Sequence, residues 1–357
     1  MNIYLCSTVR HLLFSLLKGL SEPENKNIIF MISDQQNIEP ANFDCSILPS
    51  HIEVIFIARK QLRQELYSGL KGKVIKLMAN FNVMTSPAVR EKMAALLFNR
   101  TLHLSLSKEQ LKSAKLFLFN DRNKMSRLFR LAFKQYTLME EGLANYSGKK
   151  LKPLEILGDL ITFNHRTMRY FGDNNRCQNI YLVNTEQVPN ALQHKVKQIN
   201  FIDEIAINQY CKPFFKVPVN SNISCILATQ PLVSTGIDLD IYKKIIAACN
   251  VNNMAVTIKP HPSEDISRYV SAFPNTPLID SKLPLELVVF GNQQKCNILS
   301  IYSTAGVGFE KYCNRINLIK DNEIEKVSIL FNTWQADLSL VDSRVDKLFT
   351  EMTQQLI

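Results

Sequence analysis

Four short clusters in this sequence have residue types and spacing suited to chemistry. The first is Lys259-Pro260-His261-Pro262, which closes the apolar run 254–258. Prolines on both sides restrict the backbone, so the imidazole is aimed, and a histidine there can donate to a phosphate or act as a general acid. The second is Ser303-Thr304, which ends the apolar run 297–302 and precedes Ala305-Gly306. Small residues let backbone N–H groups and hydroxyls approach an anion. The third is Glu286, at the start of the helix-like stretch 284–290, where a carboxylate can accept from ribose hydroxyls. The fourth is Glu140-Glu141-Gly142, two carboxylates whose mutual repulsion would raise the pKa of one, as a general base requires. Each has a plainer reading: a loop histidine on a carbonyl, an N-cap, an acid complementing a helix dipole, a pair of solvated turn acids.

These clusters need elements that aim them. Short apolar runs at 2–7, 27–32, 53–58, 114–119, 136–139 and 179–184 read as strands. Between them lie a helical pattern from 12 to 20, a long helical zone from 60 to 104 broken near Ser86-Pro87, and a basic helix over 124–134. On that last helix Lys124, Arg127, Arg130 and Lys134 are spaced to line one face. Residues 154–170 read as a further helix, and the polar stretch 217–222 as a linker. The same rhythm then restarts, with strands at 225–229, 254–258, 297–302 and 315–319, a helix over 240–250 and an amphipathic C-terminal helix over 338–357. Strands alternating with helices predict βαβ units and a mostly parallel sheet. Ligands of such sheets bind at the carboxyl ends of the strands, where the clusters at 140–142, 259–262 and 303–304 fall. The expected fold is therefore α/β, with two doubly wound Rossmann-type domains, 1–215 and 216–357, facing a cleft.

The 357 residues suit two domains rather than one core. No apolar run approaches the length of a membrane span, and the N-terminal residues lack the basic start of a signal peptide. The eight cysteines are scattered without a CxxC pair, which predicts buried, reduced thiols in a cytoplasmic protein. No His/Cys spacing suggests a metal site. Neither GxGxxG nor GxxxxGK[ST] occurs. The net charge of +10 is lopsided, because residues 51–134 hold 17 Lys and Arg against 5 Asp and Glu. Such a segment suits an acidic acceptor or an anionic membrane surface. Nucleic acid is not expected, since no groove-reading motif accompanies the charge.

The order acid-acid-Gly, then Lys-Pro-His-Pro, Pro-x-Glu and Ser-Thr, together with Ala228-Thr229-Gln230-Pro231-Leu232, resembles the bacterial GT-B sialyltransferases. The nearest likeness is to the lipooligosaccharide sialyltransferases of glycosyltransferase family 52, relatives of the bacterial polysialyltransferases. The resemblance implies a GT-B-like fold and inverting transfer of a sialic or related nonulosonic acid from a CMP donor to a glycan or glycolipid acceptor. It assigns Glu140 or Glu141 as the base and His261 to the departing phosphate. Lys259, Pro262, Glu286, Ser303 and Thr304 fall to the donor. No metal or other cofactor is implied, because the donor carries a single phosphate. The motif has two glutamates where an aspartate is expected, so Asp238 and Asp240 are rival bases.

The implied setting is the cytoplasm, with peripheral contact at the anionic inner membrane; a homodimer is left open. Competing readings are a Kdo or glycerol-phosphate transferase with a cytidine donor, a UDP-sugar 2-epimerase, and a non-catalytic basic protein that binds glycans or membranes.

Overall fold

The computed structural model describes residues 1–81, 83–142, 145–146, 148–151, 168–186, 188–218, 223–290, 294–303 and 305–354. Thr304, most of the helix expected over 154–170 and most of the expected linker lie outside them. The chain forms two compact units, Met1–Lys216 and Val217–Ile357.

Unit 1 begins with β1 (Asn2–Cys6), α1 (Val9–Leu20), β2 (Asn27–Ile32) and β3 (Ile52–Ile57). β1 and β2 are buried along their whole length, which is why they read as unbroken apolar runs: a central parallel strand is covered on both faces. The expected long helical zone is three helices, α2 (Arg59–Leu66), α3 (Gly69–Asn80) and α4 (Pro87–Ala94), the last running on into a π-helical turn over Ala95–Thr101. Then follow α5 (Lys108–Ser113), β4 (Lys115–Leu118), α6 (Lys124–Arg130) and β5 (Tyr136–Met139). A two-residue antiparallel ladder pairs β6 (Lys149–Lys150) with β7 (Met168–Arg169). β8 (Cys177–Leu182) and β9 (Val196–Gln198) complete a seven-stranded parallel sheet in the order β3-β2-β1-β4-β5-β8-β9.

One expectation about unit 1 needs correction. The basic helix stops at Arg130, so Lys134 lies beyond it, and Arg130 is only 3% exposed. Its guanidinium donates to the Asp121 carbonyl at 3.0 Å and lies over the Tyr136 ring. The four cations therefore do not share an exposed face; buried partners took one of them inside.

Unit 2 contains β10 (Cys225–Ala228), α7 (Asp238–Val251), β11 (Val256–Lys259), α8 (Ser267–Ala272), α9 (Leu285–Val289), β12 (Cys296–Ser300), β13 (Cys313–Asn317), α10 (Val327–Ala336) and α11 (Ser339–Gln354). Its sheet is wholly parallel, in the order β11-β10-β12-β13. The chain steps out from β10 to β11, then returns past β10 to β12, so the strand order reverses beside β10. A reversal of this kind opens a crevice at the carboxyl ends of the flanking strands. Seven cysteines are buried free thiols, and Cys45 is exposed. Among the described residues no helix is long and apolar enough to cross a membrane.

The loop after β12 turns at Gly306, whose φ is +85°. A Cβ there would also lie 2.8 Å from Ile298 Cδ1 and 2.9 Å from Cys313 Sγ, both in the core. Gly306→Ala should therefore cost about 1–3 kcal/mol, read as a lower thermal midpoint for unit 2. An unchanged midpoint would mean that the loop repacks at no cost.

Candidate active site

In unit 1 the two adjacent glutamates after β5 have opposite surroundings. Glu140 is 1% exposed and fully engaged. It accepts from Arg10 Nη2 at 3.3 Å, Tyr146 Oη at 2.7 Å and the Val183 N–H at 2.7 Å. Glu141 accepts at Oε1 from Asn120 Nδ2 at 3.1 Å, and its buried Oε2 has no hydrogen-bond partner among the described residues. Burial raises the Glu141 pKa and the nearby Asp121 carboxylate adds to this, against the Asn120 hydrogen bond and Lys149. Burial rather than repulsion from Glu140 is thus the main cause. The Glu141 and Gly142 N–H groups both donate to Asn145 Oδ1, which fixes the turn. A carboxylate with a raised pKa and an open lone pair can take a proton; one holding three donors is an anchor.

In unit 2 the loop after β11 is organised by a residue that the sequence reading missed. Glu264 accepts from Thr229 Oγ1 at 2.5 Å, the His261 N–H at 3.2 Å and Tyr269 Oη at 2.8 Å, with Arg268 3.7 Å away. The His261 N–H also reaches Thr229 Oγ1 at 3.0 Å. Thr229 follows β10, the neighbour of β11, so one buried carboxylate ties two strand ends together. The available signal was an acid three residues after the histidine in Lys259-Pro260-His261-Pro262-Ser263-Glu264.

The His261 ring accepts at Nδ1 from the Ser263 N–H at 3.2 Å and lies 2.7 Å from Ser263 Oγ. That leaves the proton of the neutral ring on Nε2. Burial, with the charges of Lys259 and Lys282, pushes the His261 pKa down to about 4. At neutral pH the ring is uncharged and offers one N–H donor; an arriving phosphate would raise its pKa. Lys259 is buried, and its ammonium donates to the carbonyls of Ser281 at 2.9 Å and Pro260 at 3.2 Å. Burial lowers its pKa to about 8, while Asp280 and Glu286 favour its charge. Lys282 Nζ donates to the Pro262 carbonyl at 2.6 Å. Lys259 and Lys282 thus hold the loop from inside, a role that spacing alone did not reveal.

Glu286 is buried in the first turn of α9. Ser303 Oγ accepts from the Ala305 N–H at 3.0 Å, and the Ser303 carbonyl accepts from Arg315 Nη1 and Asn317 Nδ2, each at 3.2 Å. Gln230 Oε1 accepts from the Tyr302 N–H at 2.9 Å, so the loops after β10 and β12 meet. Thr304 lies outside the described residues. Asp238 is buried in a two-oxygen contact with Arg268 Nη2 at 2.9 and 3.2 Å, and Arg268 links it to Glu264. Asp240 is half-buried and paired with Lys243 at 3.0 Å.

A family model described as Glycosyltransferase family 52 matches residues 51–321. An uncharacterized protein of Haemophilus influenzae is 25% identical over 193 residues, which are 49% of this chain; the chain spans 60% of that relative's length. An α/β-galactoside α-2,3-sialyltransferase of Photobacterium phosphoreum superposes with a TM-score of 0.47 at 12% identity, covering 88% of each chain. A UDP-GlcNAc 2-epimerase of Methanocaldococcus jannaschii gives 0.43 at 14% identity, covering 92% of this chain and 87% of that one. These two scores do not separate one activity from another.

The two glutamates should differ in stability tests. Glu140→Gln leaves Arg10 facing a neutral amide in a buried site and should cost about 2–4 kcal/mol. Glu141 has a folded pKa above its ordinary 4.5. Its contribution to stability is therefore full below that value and falls as pH rises through the folded pKa. Glu141→Gln should hold or raise the thermal midpoint at pH 7. Equal losses in both variants would contradict the assignment of anchor and open base.

Proposed function

The chain belongs to glycosyltransferase family 52, and from that premise we propose that it moves a sialic or related nonulosonic acid from a CMP donor to a terminal galactoside of a bacterial surface glycan. The glycan is a lipooligosaccharide, an O-antigen or a capsule in this reading. The observation that supports this most is the Glu264-anchored loop, which fixes a neutral His261 at the carboxyl end of a parallel strand. Unit 2 binds the donor: His261 Nε2–H and the Ser303-Thr304 loop take the phosphate or the sugar carboxylate, and Glu286 takes the ribose. Unit 1 binds the acceptor, with Glu141 as base. The acceptor oxygen forms the bond to the anomeric carbon, the bond to the phosphate oxygen breaks, and CMP leaves with that electron pair. Glu141 takes the hydroxyl proton, and His261 stabilises the new phosphate charge. The donor has one phosphate, so this chemistry calls on no metal.

A second assignment of the base has its own support. Asp238 is joined through Arg268 to Glu264 and so to the His261 loop, and Asp240 lies two residues further along α7. Purified protein, CMP-sialic acid and a panel of galactosides decide between them through CMP release. His261→Ala should lower turnover roughly 10²–10⁴-fold, the range for an acid–base group, and Glu141→Gln should abolish transfer while CMP still binds. Full activity in Glu141→Gln with loss in Asp238→Asn or Asp240→Asn would move the base to unit 2. CMP at 100 times its Kd should stabilise by about 2.7 kcal/mol, with UDP and GDP silent. Response to no nucleotide would favour a non-catalytic binding protein.

Peripheral contact with the anionic cytoplasmic face of the inner membrane also belongs to this reading. Leu70, Val74, Leu77 and Phe81 recur at spacings of three and four along α3 and are exposed, Leu70 by 81% and Phe81 by 73%. Lys71, Lys73 and Lys76 are exposed beside them, and α3 carries no acidic residue. An apolar stripe flanked by lysines is the pattern of a helix lying in a lipid interface. The protein should co-sediment with phosphatidylglycerol vesicles and much less with phosphatidylcholine vesicles. Leu77→Ser with Phe81→Ser should weaken this strongly, and unchanged sedimentation would assign the stripe elsewhere.

A further inference from the structure

Unit 1 holds a cavity of about 330 Å³ whose lining includes Asp121, the residue after Asn120 and a carboxylate whose charge acts on Glu141. Asn120, which donates to Glu141, also accepts from the N–H groups of Arg122 and Asn123 and so shapes the turn that opens into it. Four guanidiniums line the cavity, those of Arg122, Arg127, Arg130 and Arg169, against two carboxylates, Asp121 and Asp173. Both acids already serve the fold. Asp121 Oδ2 accepts from Tyr136 Oη at 2.6 Å and the Gly172 N–H at 3.2 Å, and Asp173 Oδ2 accepts from the Tyr170 N–H at 3.0 Å. The lining thus keeps an excess of two positive charges.

Arg130 Nε, a donor, and Asp121 Oδ1, an acceptor, are buried and have no hydrogen-bond partner among the described residues. Arg130 and Asp121 are 3% and 4% exposed. Buried polar atoms are ordinarily satisfied, and a ligand that both accepts and donates would satisfy the pair once the two side chains turn toward the cavity. An oxyanion without a hydroxyl would answer only the guanidiniums. A sugar acid offers a carboxylate to arginine and a hydroxyl to Asp121. The volume lies at the small end of ligand sites, about 300–1,000 Å³, which suits one sugar residue.

We propose that this arginine-lined cavity binds an acidic sugar of the acceptor glycan, with its carboxylate on the guanidiniums and a hydroxyl on Asp121, beside the galactose to be modified. This rests on the acceptor being bound by unit 1. It narrows the acceptor class from any galactoside to one with a uronic or nonulosonic acid nearby.

The test is direct binding to the full chain, followed by calorimetry or saturation-transfer NMR, with CMP present to occupy the donor site. The probes are a glucuronyl-galactose disaccharide, galactobiose and inorganic phosphate. The acidic disaccharide should bind at least tenfold more tightly than galactobiose, the scale of one charged hydrogen bond. Arg127→Gln and Arg169→Gln should each remove most of that difference, and Arg127→Lys should restore part of it. Arg130 also holds the Asp121 turn, so Arg130→Gln is read only alongside its thermal midpoint. Equal affinity for the two disaccharides, or a preference that survives both glutamine variants, overturns the proposal. So does inorganic phosphate binding as tightly as the acidic disaccharide, which would mark a plain oxyanion site. Failure to release CMP from any donor would remove the transferase reading and leave this measurement standing. CMP release with no acidic preference would remove the cavity assignment alone.

Discussion

A buried carboxylate is tolerable only where donors surround it, and in unit 2 that requirement orders the whole strand-end region. Glu264 gathers a hydroxyl from the end of β10, a backbone N–H from the loop after β11 and the phenol of Tyr269, with an arginine alongside. Through Arg268 it reaches Asp238 at the start of α7. Removing the acid would take the acceptor from the Thr229 hydroxyl and the Tyr269 phenol, while the His261 N–H would keep Thr229 Oγ1 and Arg268 would keep Asp238. The loop's conformation is therefore set by charge satisfaction more than by apolar packing, and the His261 imidazole inherits its direction from that network. Lys259 and Lys282 close the loop from the other side by donating to carbonyls.

Unit 1 solves a related problem in another way. Consecutive residues leaving a strand point to opposite sides, so Glu140 and Glu141, chemically identical neighbours, meet different surroundings. One is neutralised by a guanidinium, a phenol and an amide; the other is buried with one oxygen unanswered. Holding a poorly solvated carboxylate costs stability, and a cost of that kind is common where proton transfer is required.

The sequence was most legible where one force dominates. Strands such as 27–32, buried throughout, announce themselves as apolar runs, and the helical zone from 60 to 104 has the expected break at Ser86-Pro87 together with an unexpected one between Leu66 and Gly69. It was least legible for charged residues, whose identity says nothing about burial. Arg130 counts as a surface cation in any tally, yet it is buried among the Asp121 carbonyl and Tyr136. Glu264 was missed because the partner that ties it to the neighbouring strand end, Thr229, lies 35 residues away in the chain. The two glutamates were found as a pair, but only their neighbours in space distinguish them.

The cysteines have a consequence for how the molecule breathes. Cys225, Cys249, Cys296 and Cys313 are buried in unit 2, and Cys6, Cys177 and Cys211 in unit 1. Burial raises the pKa of Cys6 and Cys296 alike, to about 12, so neither thiol reacts until water reaches it. Each is then a clock for the opening of its own sheet, on the timescale at which buried groups become briefly exposed. The rates at which Cys6 and Cys296 become modified report the two halves of the chain separately, in the native protein and with no introduced probe.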